Sequence, residues 1–296
     1  MQDPVSEAFG VQAASALQAA QQLGFVDAEA QVLADMFEAQ RRRLPAGAPL
    51  SGFALQADNL PVKRPFEGFA PLRQRAMGLY AIVHSADWVA RVLAAGIRTV
   101  QLRIKQADVA LLRQEIRASV QAAAAVDAQL FINDHWRLAI EQGAYGVHLG
   151  QEDLDDADLQ AIRAAGLRLG ISTHCYVEVC RAWALRPSYI ACGPIHATQL
   201  KVMPWLPQGE DNLAYWCALL NELPVVGIGG MDAARCLQAM RCGADGVCVV
   251  SAITGAADPE QAMAALQAAV LQGQGAPQRP VPLLPRPTLP RRPASS

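Results

Sequence analysis

The sequence predicts an α/β chain built around a closed, eight-stranded parallel sheet, the (β/α)8 or TIM barrel. Three observations lead there. Between about 78 and 270, short apolar, β-branched runs alternate with helical patterns. Eight such runs occur in turn: GLYAIVH, TVQLRI, LFIND, GVHLG, RLGIST, YIACGPI, PVVGIGG and GVCVVSA. The stretches that follow strands, such as ADWVARVLAAG, VALLRQEIRASVQAAAA, DLQAIRAAG and AARCLQAMRCG, carry helical periodicity, and several stop at glycine. Alternating units imply helical crossovers between parallel strands, and eight of them close a barrel whose catalytic groups sit at the C-terminal strand ends.

The flanks have a different texture. Residues 1–44 form a helical extension in which 6–44 read as two helices, the second, DAEAQVLADMFEAQRRRL, opening on Asp27 as N-cap. Residues 45–75 are rich in Pro and Gly without helical periodicity and read as a linker. The barrel takes 76–272. The last stretch, 273–296, reads as a disordered tail, since 277–296 hold seven prolines, four arginines and no acid.

Composition narrows the function. A chain of 296 residues that is 52% hydrophobic and 18% charged has ample material for a core. A net charge of -2 argues against a nucleic-acid footprint. No apolar run reaches the length of a membrane span, and MQDPVSEAFG lacks the basic and apolar parts of a secretory signal. Seven cysteines, an odd number with no CxxC pair, read as reduced thiols. These features together predict a cytoplasmic protein; homo-oligomerisation is compatible with them.

Polar residues crowd one end of the predicted strands. Gln101, Arg103 and Lys105 share one face if QLRIK is extended. An inward cationic row is costly inside a barrel unless anions meet it. Asn133 with Asp134 ends one strand, and Asp153 follows the next. Two neighbouring carboxylates repel unless a cation or a proton lies between them. Mg2+ suits the pair, since it takes one or two carboxylates and completes its shell with water and phosphates; two solvated helix caps would explain them equally well. GIGG and VVSA, after strands seven and eight, mark a second anion site where this fold commonly holds phosphate. One metal-bound diphosphate and one monophosphate suggest displacement of diphosphate by a second small molecule. No pair of residues looks like an activated nucleophile.

Residues 78–270 resemble the thiamine phosphate synthase family through VQLRIK, FINDHWRLAIEQGAYGVHLGQEDL, GISTH, GPIHATQLK, PVVGIGGM and DGVCVVSAI. The resemblance implies a transferase that joins hydroxymethylpyrimidine diphosphate to hydroxyethylthiazole phosphate, with Mg2+ as cofactor. It implies that Gln101, Arg103, Lys105, Asn133, Ser172 and Lys201 contact the pyrimidine diphosphate, that Asp134 and Asp153 hold the metal, and that Thr198, Gly230, Val250 and Ser251 surround the thiazole phosphate. Arg103, Lys105, Ser172 and Lys201 are then the groups nearest the chemistry. The chain departs from the family's PTxTK at ATQLK, where Leu200 replaces a threonine, and Glu210 stands where an apolar residue is common. A thiazole tautomerase would keep the monophosphate site without needing both carboxylates and QLRIK; a non-catalytic barrel that binds thiamine-related phosphates is the other alternative. Residues 10–60 resemble, over a short stretch, the C-terminal end of a hydroxymethylpyrimidine phosphate kinase, but SEAFGVQAAS has only Gly10 where such kinases carry a Gly-rich phosphate turn. Two readings follow: a catalytically dead remnant packed on the barrel or on a partner, or a loosely attached extension without consequence.

Overall fold

The structure, a computed structural model, describes residues 13–22, 24–43, 67–105, 107–198, 205–276, 278–282 and 286–289. Eight parallel strands close into a barrel in chain order: β1 (Gly78–Val83), β2 (Thr99–Leu102), β3 (Gln129–Asn133), β4 (Gly146–Leu149), β5 (Arg168–Thr173), β6 (Tyr189–Cys192), β7 (Val225–Ile228) and β8 (Gly246–Val249). β8 closes on β1 with Gly246 opposite Gly78. The helices on its outside are α3 (Ala86–Ala94), α4 (Val109–Ala124), α5 (Trp136–Glu141), α6 (Asp153–Asp156), α7 (Leu159–Ala164), α8 (Tyr176–Ala184), α9 (Gly209–Leu219), α10 (Ala233–Arg241), α11 (Ser251–Thr254) and α12 (Pro259–Gln274). They are preceded by α1 (Ala13–Gln22) and α2 (Asp27–Arg43).

Strand periodicity sorts the side chains into two cores. Leu79, Ala81 and Val83 of β1, like Val100, Val147, Leu169 and Ile171, join the helices in the outer core. Tyr80 and Ile82 alternate with them and meet Phe131, Tyr189, Ala191, Val226 and Cys248 inside the barrel. Each large apolar side chain so buried contributes about 1.5–3 kcal/mol. Ser85, Asp108, Asp158, Asp232 and Asp258 start their helices by accepting the backbone N–H three residues on, each worth about 1 kcal/mol. Every cysteine is a free thiol, and only Cys217 is not fully buried. Among the described residues no helix is long and apolar enough to cross a membrane.

The flanks are attached to this frame. Asp27 is the first residue of α2 and accepts from Gln21 Nε2. The α1–α2 pair packs its alanine-rich face on the barrel: Phe25, Ala30, Leu33 and Met36 are buried in the outer core. Phe25 meets the Tyr176 ring edge-on at 6.3 Å. The buried Glu29 accepts the backbone N–H of Tyr176 at 3.1 Å. That contact caps α8, whose own N-cap residue, Cys175, makes no side-chain cap. The described part of the linker, 67–75, crosses the N-terminal end of the barrel, where Arg75 binds the Asp245 carboxylate and the carbonyls of Asn221 and Leu223.

The tail departs from expectation. Composition predicts disorder from 273, yet α12 continues to Gln274, and Arg279, Arg286 and Thr288 in the described part of the tail have defined partners. Arg286 donates its N–H to Asn212 Oδ1 while Asn212 Nδ2 donates back to the Arg286 carbonyl, at 2.6 and 2.9 Å. Arg279 pairs with Asp211, and Leu206 N–H meets the Thr288 carbonyl. An extended proline-rich backbone has no internal hydrogen bonds, so its polar groups are free for the buried amide that α9 supplies.

Candidate active site

The sheet aims one set of side chains at the C-terminal mouth. Gln101, Asn133, His148 and Ser172 occupy inward positions on β2 to β5, and the first three are buried. β2 ends at Leu102, so Arg103 and Lys105 lie beyond the strand rather than on a continuous strand row. Arg103 is half-buried and Lys105 exposed. A cation row extended from the sheet interior would be poorly hydrated; leaving the strand after Leu102 lets both cations reach the mouth.

The two acids predicted to meet do meet. Asp134 follows β3 with a positive φ of 62°. Its N–H donates to the His148 carbonyl at 3.0 Å, and Asn133 Nδ2 donates to its Oδ2. This turn swings the Asp134 carboxyl toward Asp153, the first residue of α6, which also accepts from Gly150 N–H at 3.1 Å. Burial first, then the charge and hydrogen bond of Asp153, push the Asp134 carboxyl up to about 6; Arg103 and His135 pull it back. A half-buried carboxylate pair beside a guanidinium has two remedies for its repulsion, a shared proton or a cation. No cluster of three or more His, Cys, Asp or Glu occurs among the described residues. Two hard oxygen donors suit Mg2+ better than zinc.

Below this pair a hydrogen-bonded chain crosses the barrel interior. Gln101 Nε2 donates to Tyr80 Oη at 3.0 Å, and Tyr80 Oη lies 2.8 Å from Tyr189 Oη. Tyr189 Oη meets His148 Nδ1 at 2.7 Å, and His148 Nε2 meets Ser172 Oγ at 2.8 Å. Burial, with Arg103 adding to it, lowers His148 to about 3, so its ring is neutral. Room for the chain comes from Gly170, where a Cβ would stand 2.1 Å from Tyr189 Cζ. Strand alternation in the sequence places all these residues inward, but it does not reveal which of them touch.

The opposite side of the mouth is a close contact of two loops. Gly230 has φ 64°, and a Cβ on it would lie 2.6 Å from the Ala197 carbonyl oxygen. The loop carrying Thr198 therefore runs directly over the glycines after β7. Val250 and the exposed Ser251 follow β8, with Ser251 opening α11. Lys201 and Leu200 lie outside the described residues. Trp205, just beyond them, stacks flat on His174 at 3.8 Å, and His174 is fixed by Glu178, which accepts from its N–H and meets its Nδ1 at 2.7 Å. Glu210 sits 3.6 Å from His196 Nε2, which gives that carboxylate a neighbour that an apolar residue would not need. A cleft of about 240 Å³ lies at the other end of the barrel, lined by Phe69, Leu72, Arg75 and Pro224 among others, and none of the strand-end groups reaches it.

The sequence profile of thiamine monophosphate synthase matches residues 79–253, from β1 into α11. The chain belongs to the thiamine monophosphate synthase family. Its similarity to "Thiamine-phosphate synthase" of Serratia proteamaculans is 50% identity over 196 residues, covering 66% of this chain and 92% of that one. "Thiamine-phosphate synthase" of Neisseria meningitidis is likewise 50% identical over 200 residues, covering 68% and 97%. Among solved structures, thiamine phosphate pyrophosphorylase from Pyrococcus furiosus superposes with a TM-score of 0.59 at 26% identity, over 68% of this chain and 98% of that one. The family profile reaches all eight strands and leaves α1, α2, α12 and the tail outside it.

Proposed function

We propose that this synthase-family barrel condenses hydroxymethylpyrimidine diphosphate with hydroxyethylthiazole phosphate, giving thiamine phosphate and diphosphate. The observation that carries the reading is the contact of Asp134 with Asp153 beside Arg103 at the C-terminal mouth. An anion pair and a guanidinium side by side suit a metal-bound diphosphate, and a tautomerase would need neither. Asp134 and Asp153 would hold Mg2+, which when bound supplies Lewis-acid countercharge to the diphosphate.

The remaining work falls to the chain itself. Gln101, Asn133 and Ser172 line the pyrimidine side of the mouth. Arg103 and Lys105, with Lys201 from outside the described residues, offer positive charge where negative charge grows on the leaving group. The methylene C–O bond breaks with its electron pair leaving on diphosphate, and the pyrimidine ring spreads the positive charge. The thiazole nitrogen lone pair then forms the C–N bond. Thr198, Gly230, Val250 and Ser251 would hold the thiazole phosphate and so fix that nitrogen within reach. No proton is removed in either step, which agrees with the lack of a strong general base among these residues. The neutral His148 is occupied by Tyr189 and Ser172.

A coupled assay for diphosphate tests this. Release is expected only with Mg2+ and both substrates present together. Isomerisation of a thiazole carboxylate phosphate instead would identify a tautomerase, and binding without turnover would identify a non-catalytic barrel.

A further inference from the structure

We propose that Gln101, Tyr80, Tyr189, His148 and Ser172 form a hydrogen-bond relay of fixed direction, in which Tyr80, Tyr189 and His148 are positioning residues that present Ser172 as a donor to the bound substrate. The direction follows from counting hydrogens. Gln101 Nε2 has only N–H to offer, so Tyr80 Oη accepts from it at 3.0 Å. Tyr80 then has one hydrogen to give, and its other partner is Tyr189 Oη at 2.8 Å. Tyr189, having accepted, gives its own hydrogen to His148 Nδ1 at 2.7 Å. A neutral imidazole with a bare Nδ1 carries its hydrogen on Nε2, which donates to Ser172 Oγ at 2.8 Å. Ser172 accepts that bond, and its own hydrogen is left for an acceptor in the mouth.

The reverse direction fails at the far end. If Ser172 donated to His148, the Nδ1–H would donate to Tyr189 and Tyr189 to Tyr80. Tyr80 would then receive two hydrogens and have its own pointing at an N–H donor. A charged imidazolium fails in the same way, since both ring nitrogens would donate. Tyr80 and Tyr189 have no measurable exposure, so no solvent is at hand to repair the mismatch. The packing holds the relay in place: Tyr189 meets Phe131 at 5.0 Å and Tyr80 at 5.9 Å, both edge-on, and its ring lies over Gly170.

A serine held as a donor selects an acceptor atom, such as a diphosphate oxygen or a ring nitrogen, and disfavours a donor there. Its meaning for turnover rests on the synthase reading above; the tautomer of His148 does not. Long-range proton–nitrogen correlation spectra of the full-length, 15N-labelled protein at pH 7, with His148 identified by its loss in His148→Gln, read that tautomer directly. A protonated Nε2 with a bare Nδ1 is expected, and a protonated Nδ1 would overturn the relay. Tyr189→Phe removes only the hydroxyl that fixes Nδ1. It should let the Nδ1–H form appear and lower kcat/KM for the pyrimidine diphosphate about fivefold to tenfold, the scale of one net hydrogen bond, with KM for the thiazole phosphate unchanged. An unaltered tautomer and unaltered constants in that variant would also overturn it. The expected tautomer in a protein that releases no diphosphate would sink the synthase reading and leave the relay standing.

Discussion

Replacing Asp134 by Asn should move stability and activity in opposite directions. The Asp134 carboxyl is raised from 3.8 to about 6 by burial and by Asp153. A group raised in the folded state stabilises fully below its unfolded value and loses that contribution as pH climbs through the folded one. The metal-free protein therefore carries a penalty at pH 8 that is absent at pH 3. A rise of that size corresponds to about 3 kcal/mol. The side chain is only partly buried, and solvent screening reduces this to about 1–2 kcal/mol. Asp134→Asn abolishes the repulsion, so its metal-free form should be about 1–2 kcal/mol more stable than the parent at pH 8 and no more stable at pH 3. For a barrel of this size that is roughly 2–8 °C in Tm. Added Mg2+ should raise the Tm of the parent and leave that of the variant unmoved. Turnover should fall by a factor corresponding to several kcal/mol, and Asp153→Asn should lose most turnover as well. Thermal melts in chelator and in Mg2+, beside the diphosphate assay, supply every quantity. A metal-free Asp134→Asn that melts below the parent at pH 8, or near-normal turnover in both variants at low Mg2+, would refute the carboxylate-pair account.

Three further outcomes are expected. Gly170→Ala forces a Cβ to 2.1 Å from Tyr189 Cζ, so overpacking should cost about 1–3 kcal/mol and a displaced Tyr189 hydroxyl about as much again; a urea midpoint within error of the parent would show that the ring moves freely. Removing residues 1–43 uncovers Tyr176 and strips the Glu29 cap from α8, worth about 1 kcal/mol: Tm should fall while diphosphate release persists, and the full-length chain should not phosphorylate hydroxymethylpyrimidine phosphate with ATP. Leu200→Thr should lower KM for the thiazole phosphate by several-fold at most, the value of about one neutral hydrogen bond, and an effect confined to the pyrimidine substrate would place Leu200 in the other subsite.

Local pattern carried the barrel and the acid pair into view, and long-range contact hid the rest. Asp134 and Asp153 are legible because each lies within a few residues of the end of a strand, and consecutive strands in this fold are neighbours: Asn133 lies opposite His148 in the β3–β4 register. The relay is not legible in that way. Tyr80 and Tyr189 are 109 positions apart and Tyr189 and His148 are 41 apart, and parity puts them inside without pairing them. Gly170 was the available signal, since a glycine within an apolar strand marks a close approach. Glu29 and Tyr176, 147 positions apart, left no trace in either local pattern. The tail misled because composition describes what a segment can do alone, and Asn212 lies on another element altogether. QLRIK misled for a smaller reason: extended periodicity continues past Leu102 in sequence, but the strand stops where the cations need water.

The most direct test is product formation itself. Full-length protein with Mg2+, hydroxymethylpyrimidine diphosphate and hydroxyethylthiazole phosphate should yield thiamine phosphate by mass, matched one for one by diphosphate, and neither product on omitting one substrate or on Asp134→Asn. Diphosphate without thiamine phosphate, or undiminished thiamine phosphate from Asp134→Asn, would contradict the account.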